Sequence, residues 1–146
     1  MSACTFTDRG VRSGLRQKRA LGEFILRMVK SYTRREAVLS YVFVDDETLL
    51  DMNRQYLQHD TYTDIITFDL SVASSPVLIG DIYISIDRVR ENAESMGIRL
   101  SDERLRVILH GALHLSGFGD KTAKQQAEMR QLEEKWMKKF LSRSAH

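Results

Sequence analysis

The sequence predicts an α+β domain, a mixed β-sheet of about four strands packed by about five helices. Three observations lead there. Runs rich in β-branched and aromatic residues end by Ile86, whereas stripes of apolar residues at helical spacing dominate the C-terminal part of the chain. Two of those runs are separated only by the short stretch Ser71–Pro76, which favours an antiparallel hairpin. The length of 146 residues suits one core, so a single domain is expected over residues 1–146.

The first element is a helix expected from about Ser13 to Tyr32, because Leu21, Phe24, Ile25, Met28 and Val29 recur at helical spacing while Arg16, Lys18, Arg19, Arg27 and Lys30 fall largely elsewhere. The stretch Ala37–Asp45 carries Val38, Leu39, Tyr41, Val42, Phe43 and Val44, the composition of a buried strand. Asp45, Asp46 and Glu47 then suit the positive end of a helix through Tyr56. Asp64–Leu70 and Val77–Ile86 form the hairpin. A helix from Asp87 to Met96 stops at Gly97. Ser101 is the expected cap of the next helix, with Asp102 and Glu103 in its first turn and Leu105, Ile108, Leu109, Ala112 and Leu113 on its buried side, ending near Gly117. Thr122 and Gln125 make a capping box for a last helix whose apolar stripe is Met129, Leu132, Trp136 and Phe140.

Composition narrows the class. An apolar fraction of 42% and a charged fraction of 29% are those of a globular chain, and a net charge of +2 neither demands nor excludes nucleic acid. Cys4 is the single cysteine, which excludes an internal disulfide and a multi-cysteine metal site and fits a reducing compartment. The opening residues lack the apolar core of a signal peptide, and no apolar run is long enough to span a membrane. The expected location is the cytosol, with no membrane partner.

The chemistry concentrates in His110-Gly-Ala-Leu-His114-Leu-Ser-Gly117-Phe-Gly-Asp120. Side chains four apart share a helical face, so His110 and His114 can hold one ion from adjacent turns. Such a pair alone is a weak signal. It gains weight because a helix stopped at Gly117 lets Asp120 swing back and supply a third ligand from a different direction. Three protein ligands leave a coordination position open, as catalytic zinc sites do. The layout resembles the zinc helix of metzincin proteases, His-Glu-x-x-His-x-x-Gly-x-x-His, but the glutamate that serves those enzymes as general base is here Gly111. The metal geometry is retained without the protease machinery.

The motif is similar to that of the YbeY endoribonucleases, His-Gly-x-Leu-His-Leu-x-Gly-Tyr-Asp-His. Asn53 and Tyr56 resemble the family's Asn-x-x-Tyr segment, Thr63-Asp64-Ile65-Ile66-Thr67-Phe68 its Thr-Asp-Val-Leu-Ser-Phe strand, and Gly80-Asp81-Ile82 its Gly-Asp-Ile strand. These matches run in order over roughly residues 35 to 121. The resemblance implies an α+β fold, one bound zinc ion (Zn²⁺) held by His110, His114 and Asp120, and single-strand-specific RNA cleavage. It further implies maturation of the 3′ end of 16S ribosomal RNA, ribosome quality control, and partners in the RNA precursor and the ribosome or its small subunit.

Three positions depart from the pattern. Asp120 replaces the usual third histidine, which lowers the charge of a zinc site to +1 and shifts its preference toward harder metals. Leu57 stands where an arginine linked to RNA cleavage is common, and Tyr62 where a proline is common. Arg54 or His59 is a candidate replacement for that arginine. Arg54, His59 and Lys121 are candidate phosphate contacts, and the cluster Arg9, Arg12, Arg16, Lys18 and Arg19 is either a second RNA footprint or a solvated face. The expected catalytic residues are His114, Asp81 and Arg54. Asp64 and Asp81 are each read as a general base or a supporting group behind the metal ligands, and His59 and His146 as non-ligands. Two other functions compete with the ribonuclease: a ribosome-associated assembly factor with a structural zinc, and a metallohydrolase of another substrate.

Overall fold

The computed structural model describes residues 2–143; His146 lies outside them. At its centre is β2 (Glu36–Val44), whose run of large apolar side chains is buried on both faces. It pairs in parallel with β1 (Ala3–Asp8) on one side and with β4 (Val77–Ser85) on the other, and β3 (Ile65–Asp69) closes the sheet antiparallel to β4. The order is β1-β2-β4-β3, so the mixed four-stranded sheet expected from the sequence is present and β3 is an edge. The hairpin is the β3–β4 pair. β1 is the strand that sequence patterning does not locate: it is short, its alternation is mostly exposed, and its parallel partner lies more than thirty residues away.

Five helices complete the fold. On one face lie α1 (Lys18–Thr33) and α4 (Leu100–Leu115), flanked by α3 (Ile86–Met96) and α5 (Ala123–Arg143), over a core that includes Leu39, Tyr41, Phe43, Ile82 and Ile84. α2 (Asp46–Leu57) covers the other face, where Leu49 packs with Val42, Val44 and Ile66. Among the described residues, no helix is long and apolar enough to cross a membrane.

Three helix starts differ from the sequence expectation, that of α3 by one residue, since Ile86 rather than Asp87 opens it behind a Ser85 cap. α1 begins at Lys18 rather than near Ser13, because Gln17 adopts a left-handed conformation (φ 57°) that a helix cannot continue through. α4 begins at Leu100, one residue before the expected cap, and its N-cap Arg99 makes no side-chain cap bond. The acidic start of α2 and the box of α5 follow the sequence. Asp45 accepts from the Thr48 amide at 2.7 Å, and α5 opens with the expected box: the Gln125 amide donates to Thr122 Oγ1 at 3.1 Å and the Thr122 amide to Gln125 Oε1 at 3.2 Å.

α4 is the element that positions the site, and two features seat it. The buried Tyr41 hydroxyl donates to the Ile108 carbonyl at 2.7 Å, tying mid-helix to mid-sheet. One turn on, Gly111 lies so close to the sheet that a Cβ there would stand 2.9 Å from Ile65 Cδ1 and 3.0 Å from Ile82 Cγ2. Cys4 also belongs to this packing; burial pushes its thiol up to about 12, which makes it inert rather than nucleophilic.

Candidate metal centre

With Gly111 against the sheet, His110 and His114 fall on the side of α4 that looks past the edge strand β3. α4 ends at Leu115, and Gly117 takes a φ of +109°, a conformation that L side chains rarely adopt. The chain then turns back along α5. That loop is fastened at several points: Phe118 packs edge-on against Tyr32, whose hydroxyl accepts from Trp136 Nε1 at 2.7 Å, and the Asp120 carbonyl accepts from Gln126 Nε2 at 3.0 Å. The result places Asp120 Oδ2 3.3 Å from His110 Nε2. His110, His114 and Asp120 line one cavity of about 390 Å³, together with Leu57, Ile65, Ile66, Thr67 and Lys121.

Behind His110 lies a layer that sequence reasoning missed. Its Nδ1 is 2.7 Å from Glu133 Oε2, a carboxylate of α5 that is only 3% exposed. Glu133 Oε1 in turn accepts from the Arg106 guanidinium at 3.2 Å, and Arg106 is held in a two-point fork by the wholly buried Glu103, at 2.8 Å through each nitrogen. Asp64 Oδ2 stands 3.8 Å from Arg106 on the other side. A signal for Glu133 is present in the sequence: it sits four residues after Met129, on the side of α5 that should be apolar. Glu103 reads from sequence as a helix-dipole partner, a role that does not require its burial.

Charge follows from this layer. Burial pulls the His110 imidazolium pKa down, but the hydrogen bond and charge of Glu133, with Asp120 and Asp64 beyond, outweigh it and leave the pKa raised. Burial is also the main cause that raises Asp64, against the lowering influence of Arg106 and His110. A carboxyl whose folded pKa is raised holds its proton more tightly folded than unfolded. Its ionised form therefore costs stability at neutral pH, and that cost fades as pH falls through the folded value. Asp64→Asn should accordingly raise the Tm of the metal-free protein at pH 7, with the gain shrinking on acidification; a variant that melts lower at pH 7 contradicts it.

The donor chemistry suits a divalent ion. Two imidazoles and a carboxylate converge on one cavity, and one of the imidazoles is backed by a carboxylate as metal-ligating histidines are. Among the buried and half-buried described residues around it, the carboxylates Asp64, Glu103 and Glu133 share the Arg106 guanidinium, while Asp120 lies against His110. As the side chains stand, however, the described residues contain no group of three or more His, Cys, Asp or Glu already arranged to hold an ion. His110 and Asp120 are brought together. His114 reaches the same cavity from an exposed position one turn on.

Other sequence candidates fall elsewhere. Asp81 alternates with Gly80 and Ile82 along β4 and so faces away from α4, lining a separate cavity of about 240 Å³ with Met52, Tyr56, Phe68, Leu70 and Tyr83. It is therefore not brought to the histidines. Asp64 is the aspartate that is, in a cavity of about 200 Å³ shared with Thr63, Arg106, His110 and Asp120. Arg54 is exposed and tied to Asp60 and Asp51, and Leu57 occupies the cavity wall instead. Asn53 is buried and donates to the Thr61 carbonyl at 2.7 Å, so it staples the loop before β3. Arg16 lies beside Ser101 and Arg104 at the opposite end of α4, about 14 Å along the helix from His110.

The class of protein so defined is an α+β domain carrying a His-x-x-x-His helix against the edge of its sheet, with an aspartate folded back over the first histidine. The model of one family, described as "Endoribonuclease YbeY", matches residues 11–141. The chain belongs to the endoribonuclease YbeY family, whose name denotes hydrolases that cut RNA phosphodiester bonds within the strand. It is 44% identical over 133 residues to "Endoribonuclease YbeY" of Bacteroides thetaiotaomicron, covering 91% of this chain and 96% of that one. The protein of the same name from Porphyromonas gingivalis is 43% identical over 135 residues, with 92% and 88% covered. The solution structure of TM1509 from Thermotoga maritima superposes with a TM-score of 0.68 at 26% identity, covering 97% of this chain and 91% of that one.

Proposed function

We propose that this chain is a metal-dependent endoribonuclease that cuts single-stranded RNA at the His110–His114–Asp120 cavity. The observation that carries the reading is the 3.3 Å approach of His110 Nε2 and Asp120 Oδ2 at a cavity that His114 also lines, with Glu133 behind. Zinc is the ion assigned, and rotation of the exposed His114 side chain completes the ligand set. When bound, the ion supplies a Lewis acid for a phosphate oxygen. The chain's own residues do the rest. Lys121 presents a cation to the phosphate backbone at the cavity mouth, Ile65 and Leu57 offer apolar contact to unpaired bases, and Thr67 offers a hydroxyl. Asp64 lines the adjoining cavity with His110 and Asp120, and burial raises its affinity for a proton, which makes it the better-placed carboxyl for proton transfer. The substrate assigned is the 3′ end of a 16S ribosomal RNA precursor, handled with the ribosome or its small subunit in the cytosol, as the YbeY resemblance implies.

One observation favours a second reading, an assembly factor that binds ribosomal RNA around a structural zinc. Leu57 provides no cation where the resemblance leads one to expect arginine, and Arg54 is occupied by two aspartates. A protease-type reading finds no support, since Gly111 supplies no carboxylate to act as general base, and a Cβ there would already press on Ile65 and Ile82. The discriminating test is cleavage of a 16S precursor by intact and chelated protein. The proposal expects cutting that stops on chelation and returns with zinc. Cutting that persists without metal contradicts it, and tight RNA binding with no turnover favours the assembly factor.

A further inference from the structure

We propose that Glu133 is a positioning residue that fixes the ring and tautomer of His110, with Arg106 and Glu103 holding Glu133 in turn. The inference rests on the reading of His110 as a metal ligand. A carboxylate that is 3% exposed at a position where α5 should be apolar is costly unless it is fully paired, and packing alone gives no reason for it. Both of its oxygens are in use, Oε2 toward His110 Nδ1 at 2.7 Å and Oε1 toward Arg106 at 3.2 Å. An ionised carboxylate only accepts hydrogen bonds, so the 2.7 Å contact with Glu133 favours the proton on Nδ1 over Nε2, which stands farther, at 3.3 Å, from Asp120. In the neutral ring that leaves the lone pair on Nε2, the nitrogen that faces Asp120 and the cavity.

The support behind Glu133 is rigid. Arg106 precedes His110 by one helical turn on the same face of α4, and the buried Glu103 grips it through Nε and a terminal nitrogen, both at 2.8 Å. The ring of His110 is thus aimed by a carboxylate from α5 that is itself fixed from α4. The aim does not depend on the exposed rim of the cavity.

Glu133→Gln breaks this arrangement without removing bulk. The amide has one accepting oxygen for two donors, and turning that oxygen to Arg106 presents an N–H to Nδ1, which forces the proton onto Nε2. Two measurements test the proposal. The first is the ¹⁵N spectrum of the His110 ring in metal-free wild-type protein at alkaline pH: an Nδ1–H tautomer is expected, and an Nε2–H tautomer overturns the proposal without reference to any variant. The second is zinc affinity against a competing chelator, expected to fall about 10–100-fold in Glu133→Gln. Unchanged affinity and an unchanged tautomer in a folded Glu133→Gln protein overturn it. Failure of the metal reading itself looks different: His110→Ala and His114→Ala would then bind zinc as tightly as wild type.

Discussion

His114→Ala is expected to lower RNA cleavage at least about a hundredfold while the protein stays folded. A metal ion acting on transition-state charge is worth several kcal/mol, and 1.36 kcal/mol is a factor of ten in rate, so the loss should be on the order of 100- to 1,000-fold. His114 is exposed, and truncating a surface side chain of this kind typically moves stability by less than about 0.5 kcal/mol. His110→Ala should differ in a telling way. It loses activity to the same degree, but it also strands the buried Glu133 with one partner fewer, at a cost of about 1–3 kcal/mol in unfolding free energy. Cleavage rates and urea midpoints measured on both variants separate the two effects. Equal activity of His114→Ala and wild type is the contrary result.

The largest effect on stability is expected from Gly111→Glu, which writes the protease-type His-Glu-x-x-His sequence into α4. Its Cβ would meet Ile65 Cδ1 at 2.9 Å and Ile82 Cγ2 at 3.0 Å, so those side chains must give way, and the carboxylate beyond must either lift the helix from the sheet or be buried against apolar neighbours. Either route should cost at least about 3 kcal/mol, a large share of the roughly 5–15 kcal/mol that holds a domain of this size together. Gly111→Ala is the graded control. Overpacking of about 1–3 kcal/mol is there offset by about 1 kcal/mol of helix propensity, so a modest net loss is expected. Urea unfolding reads both. A Gly111→Glu protein as stable as wild type would mean that α4 does not sit where its glycine places it.

That glycine also shows what is legible in a sequence and what is not. Its value as the absence of a protease base can be read from the motif, but its structural reason, a close approach to Ile65 and Ile82, needs the sheet. The helices and the hairpin are legible because each has its own period and caps, as at Asp45 and Thr122–Gln125. β1 is not, since a parallel strand depends on a partner far along the chain and carries no turn to announce it. The pairing of His110 with Asp120 follows from local spacing and the stop at Gly117. Glu133 and Glu103 escape such reading because their meaning is tertiary: an acid on a helix looks solvated until another helix covers it. Asp81 is the converse case. Its motif runs in order with the others, yet strand alternation turns it to the opposite face and leaves Asp64 beside the histidines.

Crystals grown with zinc, with diffraction recorded on both sides of the zinc absorption edge, test the central claim most directly. One anomalous peak is predicted in the cavity beside β3, about 2.0–2.2 Å from a ring nitrogen of His110, a ring nitrogen of His114 and a carboxylate oxygen of Asp120. A peak held by other residues, or none at this cavity with His110 Nε2 still resting against Asp120, would contradict it.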